Sequence, residues 1–285
     1  MNVFDSLLHT FGTAGTGGFG IKAASVRYYN SAYIDYVIGI FMMLFGVNFS
    51  VYYLLLIRQF MPAYKNSELR LYIGIIAASS ILIAINILDI YGTPLKAFRY
   101  AFFQVSSIIT TTGYATANFC QWPIFSQIIL LILMFIGACP ASTGGGVKTT
   151  TVFVMILLIV SVFRDKDDIV YRKETIGNKT IRRAAAVMIF SFCAALAQAI
   201  IMWGVEKPYN PGFGLVDCVF ESISAFGTVG LSTGITESLH IASKLTLCLT
   251  MLIGRLGPIT IGMAIMRSSR NTPKIKYPDA KILIG

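Results

Sequence analysis

"SAFGTVGLSTG" (Ser224–Gly234) is short, uncharged and rich in Gly, Ser and Thr, yet it interrupts sequence apolar enough for the interior of a membrane. Two other stretches resemble it: "GTAGTGGFG" (Gly12–Gly20) and "SSIITTTGYATANF" (Ser106–Phe119). Each follows a short amphipathic segment, Val3–Phe11, Pro94–Ile108 and Phe213–Phe226. Those segments are too short and too polar to cross a bilayer, which suits half-helices that enter the membrane and turn back.

The surrounding chain is membrane-grade. It is 55% hydrophobic and 13% charged, whereas soluble domains carry about 25% charge. Spanning segments are expected at Tyr33–Ile57, Leu71–Ile90, Ile124–Phe163, Ala184–Trp203 and Ile241–Met266. The third is too long for one crossing and is interrupted at "GACPASTGGGVK" (Gly137–Lys148), which reads as a broken helix. The fold class expected is therefore an all-α polytopic membrane protein. Residues 1–20 show no secretory signal pattern. The cysteines, Cys120, Cys139, Cys193, Cys218 and Cys248, form no CxxC pair and read as apolar filler. The net charge of +10 sits in the connectors, so it argues for membrane orientation and against nucleic-acid binding.

Spanning helix, half-helix, Gly/Thr loop and second spanning helix recur in that order. Residues 1–63 form a partial unit without a leading helix, 64–167 a complete unit with a broken inner helix, and 168–285 a complete unit with a C-terminal tail. Superposing Gly18, Gly113 and Gly230 sets offsets of 95 and 117 residues. The connectors Arg58–Arg70, Arg164–Arg183 and Arg267–Gly285 hold 15 of the 23 Lys and Arg residues. Their side, which includes the C-terminus, should be cytoplasmic, and all three loops then dip in from outside.

Non-helical backbone at membrane depth is tolerated where it lines a water-filled path or is buried in protein. Glycine lets successive carbonyls turn the same way. Rings of such carbonyls, joined by Thr hydroxyls, can replace the water shell of a cation without any carboxylate. A ring needs several walls, which gives repetition a physical reason.

"TAGTGGFG", "TTTGYATANF" and "SAFGTVGLSTG", with "CPASTGGGVKTTT" between the second and third, resemble the Trk/Ktr family of potassium uptake proteins over essentially the whole chain. "CPASTGGGVKTTT" and the closing "KYPDAKILIG" are more similar to the Ktr branch. The resemblance implies a pseudo-fourfold pore of helix–pore loop–helix units, of which about two and a half of four are present here, so the chain reads as N-terminally shortened. It implies a K+ filter at Thr16, Gly17, Gly18, Thr111, Thr112, Gly113, Thr228, Val229 and Gly230. It makes "STGGGVK" an intramembrane gate, with Ser142, Gly144, Gly145, Gly146 and Lys148 beside Arg255. Arg255 is placed near the middle of the last span. A buried arginine there costs about 2.5–3.5 kcal/mol on insertion scales and needs a partner or the pore. The family further implies multi-pass residence in the plasma (inner) membrane, a homodimer in lipid, and a cytosolic nucleotide-binding regulatory ring docked on the basic connectors. It implies no cofactor besides the permeant K+, with Na+ or H+ as candidate coupling ions.

Two other classes share part of this pattern. A secondary transporter of another cation such as Na+, or of a small solute, also uses broken helices, but predicts inverted repeats and charged or aromatic midplane ligands. An enzyme needs a paired nucleophile and base or metal ligands, and no HExxH, GxSxG or DxxD appears. "STGGGVKT" is not a phosphate-binding loop, because Val147 separates Gly146 from Lys148 and the preceding run is membranous. Lys148 could also snorkel to an interface. Glu221, Asp217 and Asp89 are the acids nearest the outer mouth, where they could either concentrate cations or cap half-helices. His9 and His240 receive no role.

Overall fold

The computed structural model describes residues 1–165, 168–171, 174–257 and 260. The end of the last expected span and the basic tail 267–285 lie outside those residues. The chain is built of helices: α1 Val3–Ala14, α2 Ala32–Phe45, α3 Phe49–Leu56, α4 Phe60–Tyr64, α5 Ser67–Asn86, α6 Leu88–Tyr91, α7 Pro94–Ile109, α8 Ile124–Ile136, α9 Thr149–Phe163, α10 Asn178–Glu206, α11 Leu215–Gly227 and α12 Ile241–Leu256. One departure from the all-helical expectation is a two-residue hairpin, Val170–Tyr171 with Glu174–Thr175, in the connector after α9. α5 and α10 are long and apolar enough to span a membrane, the bent pair α2–α3 is a third candidate, and α8 and α9 are shorter apolar helices. At 1.5 Å per residue the 29 residues of α10 extend about 43 Å.

The three half-helices form where expected, as α1, α7 and α11, and local chemistry starts each one. Asn2 accepts the Asp5 amide at 2.7 Å, Pro94 occupies the first turn of α7, and Asp217 accepts the Gly214 amide at 3.1 Å. Long helices cover two of them: α5 packs on α7 and α8, and α10 packs on α11 and α12. In lipid the drive for this is close packing rather than escape from water. Small residues accordingly sit in the seams, Ala97 and Ala101 on α7 and Ala195 and Ala199 on α10, all buried. Gly254 of α12 lies so close to α11 that a Cβ there would stand 1.8 Å from the Phe226 carbonyl oxygen. Apolar side chains on the outer faces, such as Ile85, Ile189 and Ile200, stay exposed, as a lipid-facing surface requires.

Two expectations are corrected. Tyr33–Ile57 is not one straight span: α2 and α3 meet at 91°. Gly46 ends α2, and the Asn48 carboxamide starts a new helix by accepting the Ser50 amide at 2.9 Å. The segment after α8 enters the corner, where Cys139 N donates to Gly46 O at 3.2 Å and Phe49 N to Ala141 O at 3.0 Å. Arg255 is not mid-helix either. α12 ends at Leu256, with Gly257 at φ +83, so Arg255 lies in its final turn, where a cation complements the helix dipole.

Candidate functional site

α1, α7 and α11 each end in the same turn, at Thr16-Gly17-Gly18, Thr111-Thr112-Gly113 and Thr228-Val229-Gly230. The first residue of each triplet is a threonine in the left-handed region (φ 48, 56 and 54), and the third is a glycine in that region too (φ 66, 87 and 81). A β-branched residue rarely adopts that conformation, at a cost of about 1–3 kcal/mol. Finding it at all three sites marks a geometry that the surroundings impose. The same backbone hydrogen bonds wind each turn. The threonine amide donates to the residue three before it (Thr16 to Thr13, Thr111 to Ile108, Thr228 to Ala225). The middle amide donates to the residue five before it (Gly17 to Gly12, Thr112 to Ser107, Val229 to Ser224).

The turns abut edge to edge. A Cβ on Gly18 would sit 1.8 Å from the Thr112 carbonyl oxygen, and one on Gly113 would sit 2.1 Å from that of Val229. Only hydrogen fits there, whatever φ demands. Gly230 differs: among the described residues nothing lies within 4 Å of the corresponding point. Three helix C-termini thus end beside the same turns, each carrying roughly half a negative charge, an electrostatic setting for a cation.

The Gly-rich break lies against these turns. Thr16 Oγ1 donates to Thr143 O at 3.0 Å, Thr111 Oγ1 accepts from Gly145 N at 2.7 Å, and a Cβ on Gly145 would meet Thr228 Oγ1 at 2.1 Å. All three left-handed threonines therefore touch one segment. Its near end is tied to the α2–α3 corner, with Thr143 Oγ1 donating to Phe45 O at 3.3 Å and Ser142 Oγ to Cys139 O at 2.6 Å. Lys148 folds back, and its ammonium donates to Gly144 O and, at 3.4 Å, to Gly145 O. The Arg255 guanidinium is near enough to act on that ammonium electrostatically. Gly146 takes a left-handed turn at φ +68 on the way to Lys148.

Several residues near the turns went unassigned in the sequence. Glu221 is buried, and its carboxylate accepts the Ser232 hydroxyl, the Thr233 amide at 3.0 Å and the Thr236 hydroxyl at 2.9 Å. His9 is buried between Tyr29 and Tyr114, with Nδ1 2.7 Å from the Asp5 carbonyl oxygen. Tyr29 donates to Asp5 Oδ2 at 2.8 Å, and burial followed by that bond pushes its phenol up to about 12, so it remains a donor at neutral pH. Asp35 and Arg99 pair at 3.1 Å where α2 meets α7. The repeat offsets alone could have flagged His9, since it shares its register with Gln104 and Glu221.

The cation transport protein family model TrkH matches residues 1–78 and 92–274. The chain is 30% identical over 277 residues to the Trk system potassium uptake protein TrkH of Escherichia coli (strain K12), covering 92% of this chain and 56% of that protein. It is 34% identical over 185 residues to the Ktr system potassium uptake protein B of Vibrio alginolyticus, covering 65% of this chain and 39% of that one. The crystal structure of the potassium transporter TrkH from Vibrio parahaemolyticus superposes with a TM-score of 0.77 at 25% identity, over 93% of this chain and 58% of that one. The chain thus spans a little over half the length of the TrkH relatives it matches. The relatives matched are named for potassium uptake, and the family model describes cation transport.

Proposed function

The chain belongs to the TrkH family of cation transport proteins, and from that premise we propose that it is the potassium-translocating subunit of a Trk/Ktr-type uptake system. The observation that carries this reading is the threefold recurrence of one strained turn, at Thr16–Gly18, Thr111–Gly113 and Thr228–Val229–Gly230, with two of the glycines pressed against a neighbouring turn. Main-chain oxygens of these turns would hold the dehydrated K+, and the carboxyl ends of α1, α7 and α11 would favour positive charge between them. A fourth turn between the third and the first would complete the ring, its place being the free side of Gly230.

The segment Ser142–Lys148 would act as the gate. Its hydrogen bonds to Thr16 and Thr111 hold it across the inner side of the turns, and breaking them would open the path. Arg255 and Lys148 would set an electrostatic barrier below the filter. Assembly as a homodimer in lipid, a cytosolic nucleotide-binding ring on the basic connectors, Na+ or H+ coupling, and residence in the inner membrane with a cytoplasmic C-terminus complete the proposal.

Complementation tests it. The full-length protein should restore growth of potassium-uptake-deficient cells on low K+, and Gly113→Ser or Gly230→Ser should abolish that growth or shift it toward Na+ sensitivity. Growth indifferent to both substitutions would refute the filter.

A further inference from the structure

The three turns are wound alike but are not fastened alike. In the second unit Ser107 Oγ donates to the carbonyl of Tyr114, the residue after the filter glycine, at 2.6 Å. In the third, Ser224 Oγ donates to the matching carbonyl of Leu231, also at 2.6 Å. Each serine stands six residues before its glycine, and the offsets place Gly12 at that position in the first unit. Gly12 has no hydroxyl, yet the matching Phe19 carbonyl is not left unbonded: the Tyr114 hydroxyl donates to it at 3.0 Å. A Cβ on Gly12 would lie 2.3 Å from that same hydroxyl oxygen. The space that the first unit's serine would occupy is therefore filled by the tip of a tyrosine from the second unit.

We propose that Tyr114 is a positioning residue for the first filter turn, supplying across the seam the hydroxyl that Gly12 cannot. The bond fixes the peptide that follows Phe19, one residue beyond the Gly18 carbonyl, and so restricts the direction that carbonyl can take, as the serines do for Gly113 and Gly230. Tyr114 is fully buried, and the His9 ring stacks on it at 5.4 Å, which holds the phenol in place. Ser25 Oγ accepts the Ala115 amide at 3.2 Å, and Arg27 N donates to Ala115 O at 3.1 Å, so the two strands are stitched beside the tyrosine. The aromatic residue after the glycine is thus a hydroxyl bearer in the one unit whose neighbour lacks the serine; the other two units carry Phe19 and Leu231 there. This assignment of ion preference to Tyr114 rests on the filter reading above.

The test is a pair of exchanges in the full-length protein, read as rubidium uptake into proteoliposomes and its competition by Na+. Tyr114→Phe should lower the preference for K+ over Na+ by roughly twofold to tenfold, the range for losing one ordinary hydrogen bond. Gly12→Ser alone should impair uptake, because its side chain collides with the phenol. The double variant Gly12→Ser/Tyr114→Phe should recover preference to within about twofold of the parent, since serine can then reach the Phe19 carbonyl as its counterparts do. A wild-type preference in Tyr114→Phe, or a double variant worse than both singles, overturns the proposal. Thermal unfolding of the four proteins in detergent supplies a readout independent of transport: the losses should be non-additive, with the double variant rescued, and additive losses overturn the hydroxyl exchange. Rescue in unfolding combined with a Gly113→Ser variant of unchanged ion preference would leave the exchange standing and refute the filter reading instead.

Discussion

The first and third of the Thr-to-Gly turns, Thr16–Gly18 and Thr228–Gly230, share a backbone and differ in what holds it. The third is self-contained. Ser224 fastens its Leu231 carbonyl, and the Glu221 carboxylate gathers Ser232, Thr233 and Thr236 from the loop beyond. The first borrows: its Phe19 carbonyl depends on Tyr114, its Thr16 hydroxyl on Thr143, and its flank on Ala115. The seam between the first and second units carries a polar contact, the Asp35–Arg99 pair, beside the apolar packing of Val26, Ile38 and Met42 with Phe103, whereas Phe119 stacked on Phe220 at 5.4 Å marks the seam between the second and third. What the repeats preserve is the direction of a few carbonyls. The residues that enforce it are free to change, provided the hydrogen bonds are made by someone.

The largest effect should come from adding a methyl to the abutted glycines. Gly18→Ala and Gly113→Ala both place a Cβ inside the van der Waals shell of a backbone oxygen, on a segment with little room to yield. Overpacking of this kind costs about 1–3 kcal/mol or more, in addition to the left-handed strain. Gly230→Ala meets no such oxygen and bears the strain alone, about 1–2 kcal/mol. The expected result is uptake lowered more than tenfold in the first two variants and a loss of thermal stability at least twice that of Gly230→Ala. Equal losses at all three positions would mean that Gly230 is abutted as tightly as the others in the working protein, which would close the ring and erase this difference.

How much of this the residues announce depends on the scale. The half-helices, the Gly/Thr loops and the break after Ile136 follow from apolar length and glycine content, which act locally and leave their mark in the chain. The bend at Gly46–Asn48 does not, because it lies inside a uniformly apolar run and is completed by backbone from residues 139–141, far away in sequence. Asn48, a good helix starter amid apolar residues, was the available clue. The place of Arg255 within its helix is hidden for a similar reason: the left-handed Gly257 ends α12 just beyond it, inside a run that stays apolar to Met266. The bond from Tyr114 to the Phe19 carbonyl and its stacking on His9 are invisible to any reading of one segment at a time, since they join two units.

A second, smaller effect probes how the Ser142–Lys148 segment, the proposed gate, is fastened. Thr111→Val removes the acceptor of the Gly145 amide and leaves a buried donor unpaired, a loss of about 1–3 kcal/mol that falls only on the state in which the segment is seated. The ratio of seated to unseated segment should drop by roughly tenfold. K+ flux without any activating partner should rise correspondingly, measured in proteoliposomes. Thr16→Val removes a donor to Thr143 and leaves a carbonyl that is more easily satisfied, so its effect should be lesser. An unchanged basal flux in Thr111→Val would show that Lys148 and the α2–α3 corner hold the segment by themselves.

The smallest expected effect is the most discriminating about self-containment. Glu221 shares its register with Gln104 and His9, and Gln104 is fully buried with no hydrogen bond to its carboxamide among the described residues. The second turn thus stands without the clasp that the third possesses. If the clasp serves only the loop beyond Gly230, Glu221→Gln should weaken three contacts without removing all of them, because the amide oxygen can still accept. Charge-assisted bonds are about twice as strong as neutral ones, so a loss of about 1 kcal/mol is expected. Amide exchange at Thr233 should quicken by about fivefold, while exchange at Thr112 and Gly17 stays as it was. Quickening at all three would mean that the third turn is structurally coupled to the first through the seams, and that the apparent independence of its fastening is only local.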